Sequence, residues 1–158
     1  MALEIARASE ADFPFIMATE RLPGNDGLVG RWERDEHERA LADRSNAYFV
    51  GFADGTGVGF VIVQHWAERA TLIKRIIVAD RGKKIGRELL SKVIEAIFTQ
   101  TDASRVWLNV FPHNERAQKA YSALGFRFED RAKFPESGES KALLMVLQRL
   151  DWGSASTR

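Results

Sequence analysis

Apolar residues recur along this chain at two spacings, and the switches between them mark its elements. Residues 3–8 (LEIARA) alternate apolar and polar, which predicts a short strand. Ser9 followed by Asp12 resembles a helix N-cap, and Phe13, Ile16 and Met17 continue one helical face. The breakers Leu22-Pro23-Gly24-Asn25-Asp26-Gly27 stop that helix. Residues 31–44 are mostly charged, with Trp32 and Leu41 as their few large apolar side chains, and predict a second, solvent-exposed helix. Residues 47–53 and 58–66 read as strands joined by a tight turn at Asp54-Gly55-Thr56-Gly57. Glu68 and Arg69 turn the chain into a further strand over 71–78.

The pattern then changes. Residues 79–87 (ADRGKKIGR) form a basic, glycine-containing loop that runs into a helix from Ile85 to about Gln100. Ile85, Leu89, Val93 and Ile97, with Leu90, Ile94 and Phe98 beside them, make a wide apolar stripe at helical period. A strand over 105–111 leads to a helix opened by Pro112-His113-Asn114. Its Ala117, Ala120, Tyr121 and Leu124 share one face, and Gly125 ends it. Strands over 126–131 and 142–150 follow, with a frayed tail over 153–158. Strand, loop, helix and strand in the middle of the chain imply a right-handed crossover between parallel strands. The hairpins on either side are antiparallel, so the sheet is mixed.

A length of 158 residues suits one domain, here residues 1–152. Lys plus Arg number 23 against 22 Asp plus Glu, without the basic excess of a nucleic-acid binder. No apolar run reaches membrane-spanning length. Glu4, Glu10 and Asp12 are unlike a secretory signal. The absence of cysteine excludes disulfides, a thiol nucleophile and a Cys-ligated zinc, and fits a cytoplasmic location. His37, His65 and His113 are widely spaced, with no HExxH pattern, so no metal is expected.

Charge matters locally. Lys74, Arg75, Arg81, Lys83, Lys84 and Arg87 crowd one strand-to-helix junction of a nearly neutral chain. A helix N-terminus offers unpaired N–H groups and a dipole that stabilises an anion by about 0.3–1 kcal/mol. Gly82 and Gly86 would let the backbone come close to such an anion. Neither GxxxxGK[ST] nor GxGxxG is present. Taken alone, the loop reads equally well as a solvated basic turn.

Two linked motifs go further. Arg75-Ile76-Ile77-Val78, followed by Arg81-Gly82-Lys83-Lys84-Ile85-Gly86-Arg87-Glu88-Leu89-Leu90, resembles the acetyl-CoA-binding motif of the GNAT N-acetyltransferases. Asn114, Ala117, Tyr121, Gly125 and Phe126 are similar to that family's second motif, in its order and spacing. The resemblance is strong over about residues 70–130. It implies an α/β (α+β) fold: a mixed, mostly antiparallel sheet flanked by helices, with a parallel strand pair around the acyl-CoA loop. It also implies an N-acetyltransferase that takes acetyl-CoA as cosubstrate. The acetyl group would pass directly, in a ternary complex, to a primary amine on a small molecule or peptide. Nucleic-acid and membrane partners are not expected, and a homodimer through the C-terminal strands is compatible.

The resemblance also implies roles. Arg81 opens the pyrophosphate loop, and the backbone N–H groups of Gly82, Lys83, Lys84, Ile85, Gly86 and Arg87 cradle it. The segment Ile76, Ile77 and Val78 faces the pantetheine arm, pairing through Ile76 and Val78. Asn114, with Ala117 nearby, bonds that arm. The Val78 N–H meets the oxyanion, and the Tyr121 hydroxyl points at the thioester sulfur. Lys84 stands where the family carries a glycine. Its Cβ restricts backbone approach, while its ammonium can pair with a phosphate.

Deprotonating an alkyl amine near pH 7.4 costs about 4 kcal/mol, so a base or an amine-acidifying pocket is needed. The positions where relatives carry a glutamate hold Asn109 and Thr71-Leu72, neither of them a base. His65 and Glu68 remain as water-mediated substitutes, although His65 reads more simply as a hydrogen-bonded strand residue. His113 belongs to the start of its helix. Proton transfer from Tyr121 to a thiolate is uphill by about 2 kcal/mol at reference pKa values, which favours a hydrogen-bond donor. Asp26, Glu33, Asp35 and Glu36 could attract a cationic amine or simply form a solvated face. Trp32, Trp66 and Phe111 are a candidate apolar wall. The missing base keeps a non-catalytic acyl-CoA-binding module open beside the enzyme. A nucleotide-phosphate binder is a weaker alternative.

Overall fold

The computed structural model describes residues 3–22, 31–79 and 84–156. In chain order these form β1 (Leu3–Arg7), α1 (Phe13–Glu20), α2 (Arg34–Ala42), β2 (Ala47–Ala53), β3 (Thr56–Gln64), β4 (Ala70–Val78), α3 (Ile85–Gln100), β5 (Arg105–Val110), α4 (Glu115–Ala123), β6 (Arg127–Glu129), β7 (Leu143–Gln148) and α5 (Arg149–Ser156). One seven-stranded sheet runs β1-β2-β3-β4-β5-β7-β6. Every neighbouring pair is antiparallel except β4 and β5. The fold is therefore the mixed, mostly antiparallel sheet with one parallel pair that the motifs imply. Among the described residues no helix is long and apolar enough to cross a membrane.

The central strands are apolar on both sides because both faces are covered. Phe49, Val61 and Val63 face α3, which lays Leu89, Leu90, Val93, Ile94 and Ile97 against them. Tyr48, Val50, Phe60 and Ile62 alternate to the other face and meet Phe13 and Ile16 of α1. Two glycines let α3 sit close. A Cβ at Gly51 would lie 2.8 Å from Leu89, and one at Gly59 would lie 2.7 Å from the Ile77 carbonyl oxygen and 3.0 Å from Leu89.

A bulge in β4 opens the sheet. Val63 faces Ile73 and Ile62 faces Arg75, so Lys74 is an extra residue without a partner on β3. The bulge inverts the alternation: Ile73 faces the α3 side, whereas Arg75 and Ile77 turn toward α1. Pairing between β4 and β5 ends at Ile73 and Leu108, and Asn109 and Val110 pair only with β7. Beyond that point the two parallel strands part.

Two expectations fail in instructive ways. The charged segment forms a shorter helix, α2, and it is not simply solvated, since His37 on it is fully buried. The apolar run over 142–150 stays a strand only to Gln148, and the chain then forms α5 in place of a frayed tail. Leu150 is accordingly 85% exposed. The Arg149 side chain donates to the carbonyls of Phe98, Thr101 and Ala103 at 2.8, 2.9 and 2.7 Å, which satisfies the C-terminal end of α3. The Trp152 indole donates to Glu95 at 2.8 Å. These contacts are tertiary, so no local periodicity announces them.

Replacing Gly59 with Ala should destabilise the protein by about 1–3 kcal/mol, because the new methyl meets a backbone carbonyl that cannot yield without breaking the β3–β4 ladder. Denaturant unfolding checks this, and an unchanged midpoint contradicts it.

Candidate functional site

The parting of β4 and β5 leaves a cavity of about 720 Å³. β4 supplies one wall through Ile76, Ile77 and Val78, and the start of α3 supplies Lys84, Gly86 and Arg87. Asn109 and Phe111 come from the end of β5 and the residue after it; Asn114, Ala117 and Tyr121 come from α4 and its cap. The backbone of β4 points into this space by alternation. The Ala79 N–H donates back to Val58 at 2.8 Å, so Val78 and Ile76, one and three residues earlier, direct their backbone groups to the opposite edge. Among the described residues no strand covers that edge beyond Ile73.

Lys84 is the N-cap of α3 with φ 59 and ψ 15, the left-handed region. An L-residue there costs about 1 kcal/mol relative to glycine, which accounts for the glycine that the motif ordinarily carries. Gly86 is a different case. A Cβ built on it would touch only Val78, at an ordinary 3.7 Å, so protein packing does not require glycine here. Its missing side chain leaves room on the cavity side. Arg81, Gly82 and Lys83 lie outside the described residues, as do Asp26 and the breakers at 23–27.

On α4, the Asn114 Oδ1 accepts from the Ala117 N–H at 3.3 Å and caps the helix. Its Nδ2 remains as a donor group at the cavity rim. Tyr121 packs on Phe126 with ring centroids 6.0 Å apart, and burial pushes its hydroxyl up to about 12. Behind this wall, Asn109 accepts from the Arg131 guanidinium, which also donates to Ser137 and Ala142. Asn109 is thus a fastening for the segment before β7. Leu72 is buried against Trp107, Phe134 and Leu144.

Other candidates are not brought together. His65 lies past the end of β3 and pairs with Glu68 at 3.1 Å, both well exposed. His113 stacks on Phe111. Of these four residues only Phe111 borders the cavity. Asp35 pairs with Arg39 on an exposed face of α2, and Glu36 returns its carboxylate to the Glu33 N–H at 3.1 Å. The proposed aromatic wall does not form: Trp32 belongs to the α1 side, Trp66 to the α3 side, and Phe111 alone reaches the cavity. Among the described residues no group of three or more His, Asp or Glu is arranged to hold a metal.

One buried assembly escaped the sequence reading. Glu20, at the end of α1, is fully buried and accepts from Arg75 Nη1 at 2.5 Å. Its other oxygen meets His37 Nε2 at 2.8 Å, and His37 Nδ1 meets the Tyr48 hydroxyl at 2.7 Å. Trp32 covers the Arg75 guanidinium at 4.6 Å. Burial is also the main reason that the Tyr48 pKa is raised. A signal existed: Glu20 continues the stripe of Phe13 and Ile16 at helical spacing, so it had to be either buried and paired or wasted.

A model of the acetyltransferase (GNAT) family matches residues 10–126, and the chain belongs to that family. Its backbone is similar to the aminoglycoside acetyltransferase AAC(6')-Ib solved with coenzyme A: TM-score 0.81, 16% identity, over 97% of this chain and 98% of that one. A variant of the spermidine N-acetyltransferase SpeG from Vibrio cholerae superposes with TM-score 0.77 and 20% identity, over 98% of both chains. An uncharacterized protein from Bacillus halodurans gives TM-score 0.81 at 13% identity, over 98% of this chain and 88% of that one. At these identities the likeness establishes the fold. No curated protein matches by sequence.

The chain has two tyrosines, and burial raises both. Above about pH 10 the folded state therefore holds protons that the unfolded state releases. This contribution to stability is complete below about pH 10 and is lost as the pH rises toward about 12. In an alkaline titration, tyrosinate absorbance should stay flat past pH 10 and rise together with loss of the folded circular-dichroism signal. Tyrosinate forming near pH 10 in folded protein contradicts this.

Proposed function

We propose that this protein is an N-acetyltransferase that uses acetyl-CoA and passes the acetyl group directly to a primary amine. The observation that carries the reading is a convergence on one cavity. An unpaired strand edge at Ile76 and Val78, a helix N-terminus opened by Gly86, and Tyr121 all face the same space. The residues suit the cosubstrate. Lys84, Arg87, Arg116 and Lys119 border the cavity with charge matched to phosphates, and the β4 edge suits an amide-bearing arm. Acetyl-CoA supplies the activated acetyl group when bound. With no cysteine in the chain, no thiol acyl-enzyme forms, and the amine attacks in a ternary complex.

Each residue has a defined task. The Val78 N–H stabilises the oxyanion. Arg81, Gly82, Lys83, Lys84, Ile85, Gly86 and Arg87 hold the pyrophosphate, and Asn114 with Ala117 lines the arm. Tyr121 acts as a hydrogen-bond donor to the leaving sulfur. At a pKa of about 12 against about 8.5 for a thiol, giving up its proton is uphill by about 5 kcal/mol. The same value leaves it protonated, so it is no base. The cavity lowers the ammonium pKa of the acceptor by charge: Lys74 and Arg75 stand on β4 beside the break.

A specific observation favours a second reading, a non-catalytic acyl-CoA-binding module. Asn109 is occupied by Arg131 and Leu72 is buried, so neither glutamate position of the family offers a base. Turnover separates the two.

Acetyl-CoA and CoA should raise the melting temperature, by the equivalent of about 2.7 kcal/mol at 100 times Kd, while ATP and NAD do not. Gly86→Ala should fold at least as stably as the parent and lose most of this shift. A normal shift in that variant removes the pyrophosphate role from the α3 N-terminus. Tyr121→Phe should lower kcat by about 10- to 100-fold with KM for acetyl-CoA within about twofold. An unchanged kcat rejects the donor role.

A further inference from the structure

The acceptor end of the cavity carries positive charge that the phosphates do not need. Lys84 and Arg87 stand at the α3 N-terminus, and Arg116 and Lys119 stand on α4. Lys74 and Arg75 are elsewhere, at the bulge where β4 leaves β5. Arg75 faces α1, opposite the α3 face, because the bulge inverts the alternation. A direct attack brings the amine in from the face that the cosubstrate does not occupy. Arg75 therefore lies on the acceptor's side.

Arg75 is also held in place for a ligand. Arg75 borders the cavity, and its side chain is 5% exposed. Glu20 fixes Nη1, and Trp32 covers one face of the guanidinium. His37 and Tyr48 hold Glu20 from behind. A guanidinium has five N–H donors in a rigid fork, and among the described residues Glu20 engages Nη1. Lys74 adds a second, exposed cation next to it. Among the described residues that line the cavity there is no Asp or Glu. A polycation would meet repulsion there, and a carboxylate would meet a preset clamp.

We infer that the acceptor is a primary amine that carries a carboxylate, bound through Arg75 and Lys74. Polycationic amines of the kind named for the similar structures would not serve. This rests on the acetyltransferase reading above. Arg75 and Lys74 are positioning residues: they hold the anion while the amine reaches the acetyl carbon. The amine nitrogen gains the acyl bond, the thioester C–S bond breaks, CoA leaves as the thiol, and the ammonium proton goes to solvent.

The test measures CoA release with α- and ω-amino acids of graded length, each against its carboxamide, with spermidine and kanamycin alongside. The carboxylate forms should exceed their amides in kcat/KM by about 10- to 100-fold. Lys74→Gln, on an exposed side chain, and Arg75→Lys, which keeps the buried charge, should shrink that ratio through KM of the carboxylate form. The amide's value should fall by less than that of its carboxylate form. A purely structural role for Arg75 would change stability and both substrates alike, leaving the ratio intact, and would overturn the assignment. Equal use of amides, or preference for spermidine or kanamycin, also overturns it. Turnover of no amine by a protein that still shows the CoA thermal shift overturns the acceptor assignment and leaves cosubstrate binding standing. Absence of that shift defeats both.

Discussion

The bulge at Lys74 is the constraint on which this molecule turns. One unpartnered residue in β4 inverts the inside–outside alternation of everything after it, and the parallel pairing stops at Ile73, the residue just before it. A regular strand would have kept β4 and β5 zipped together, with Arg75 on the α3 side. The cavity, the exposed backbone edge at Ile76 and Val78, and the approach of Arg75 to Glu20 all follow from that residue. A bulge needs support, because the ladder hydrogen bonds lost there must be offset by packing. The support comes from Leu89 seated over Gly51 and Gly59 on one face and from Phe13 and Ile16 on the other.

Charge is distributed by a similar economy. The chain is almost neutral, yet the described lining of the cavity carries cations alone among its formally charged groups. The matching acids are placed where they do structural work. Glu20 is buried against Arg75 and His37, Glu95 receives the Trp152 indole, and Glu36 closes the start of α2. Isolated burial of Glu20 would be prohibitive, so the pairing and the fold of α1 on α2 are one requirement.

Much of this was legible. The helix from Ile85 to Gln100 was read to its boundaries, because its apolar stripe is long and uninterrupted. The parallel pair followed from the order of strand, helix and strand, and the two motifs marked the cavity walls. What stayed hidden depended on contacts distant in sequence. Nothing near Lys74 marks a bulge, since its neighbours on both sides are good strand formers. His37 sits in a run of charges that reads as solvated. Arg149 finds its carbonyls about fifty residues away, so the strand-like run before it concealed a helix. Asn109 read as a missing base, and its bond to Arg131 gives it another occupation.

The order of strands has a consequence for how the protein is made. β7 is the last strand of the chain, yet it lies inside the sheet, between β5 and β6. During synthesis the first four strands can assemble with α1 and α2 as each emerges. β5 can then join β4 while its other edge waits, and β6 has no neighbour at all until β7 arrives. The wall that carries Asn109, Phe111 and α4 is therefore completed only once the chain through Gln148 has left the ribosome. A polypeptide stalled before Leu143 would hold the bulged strand and the start of α3, but with β5 open along the edge that β7 normally covers.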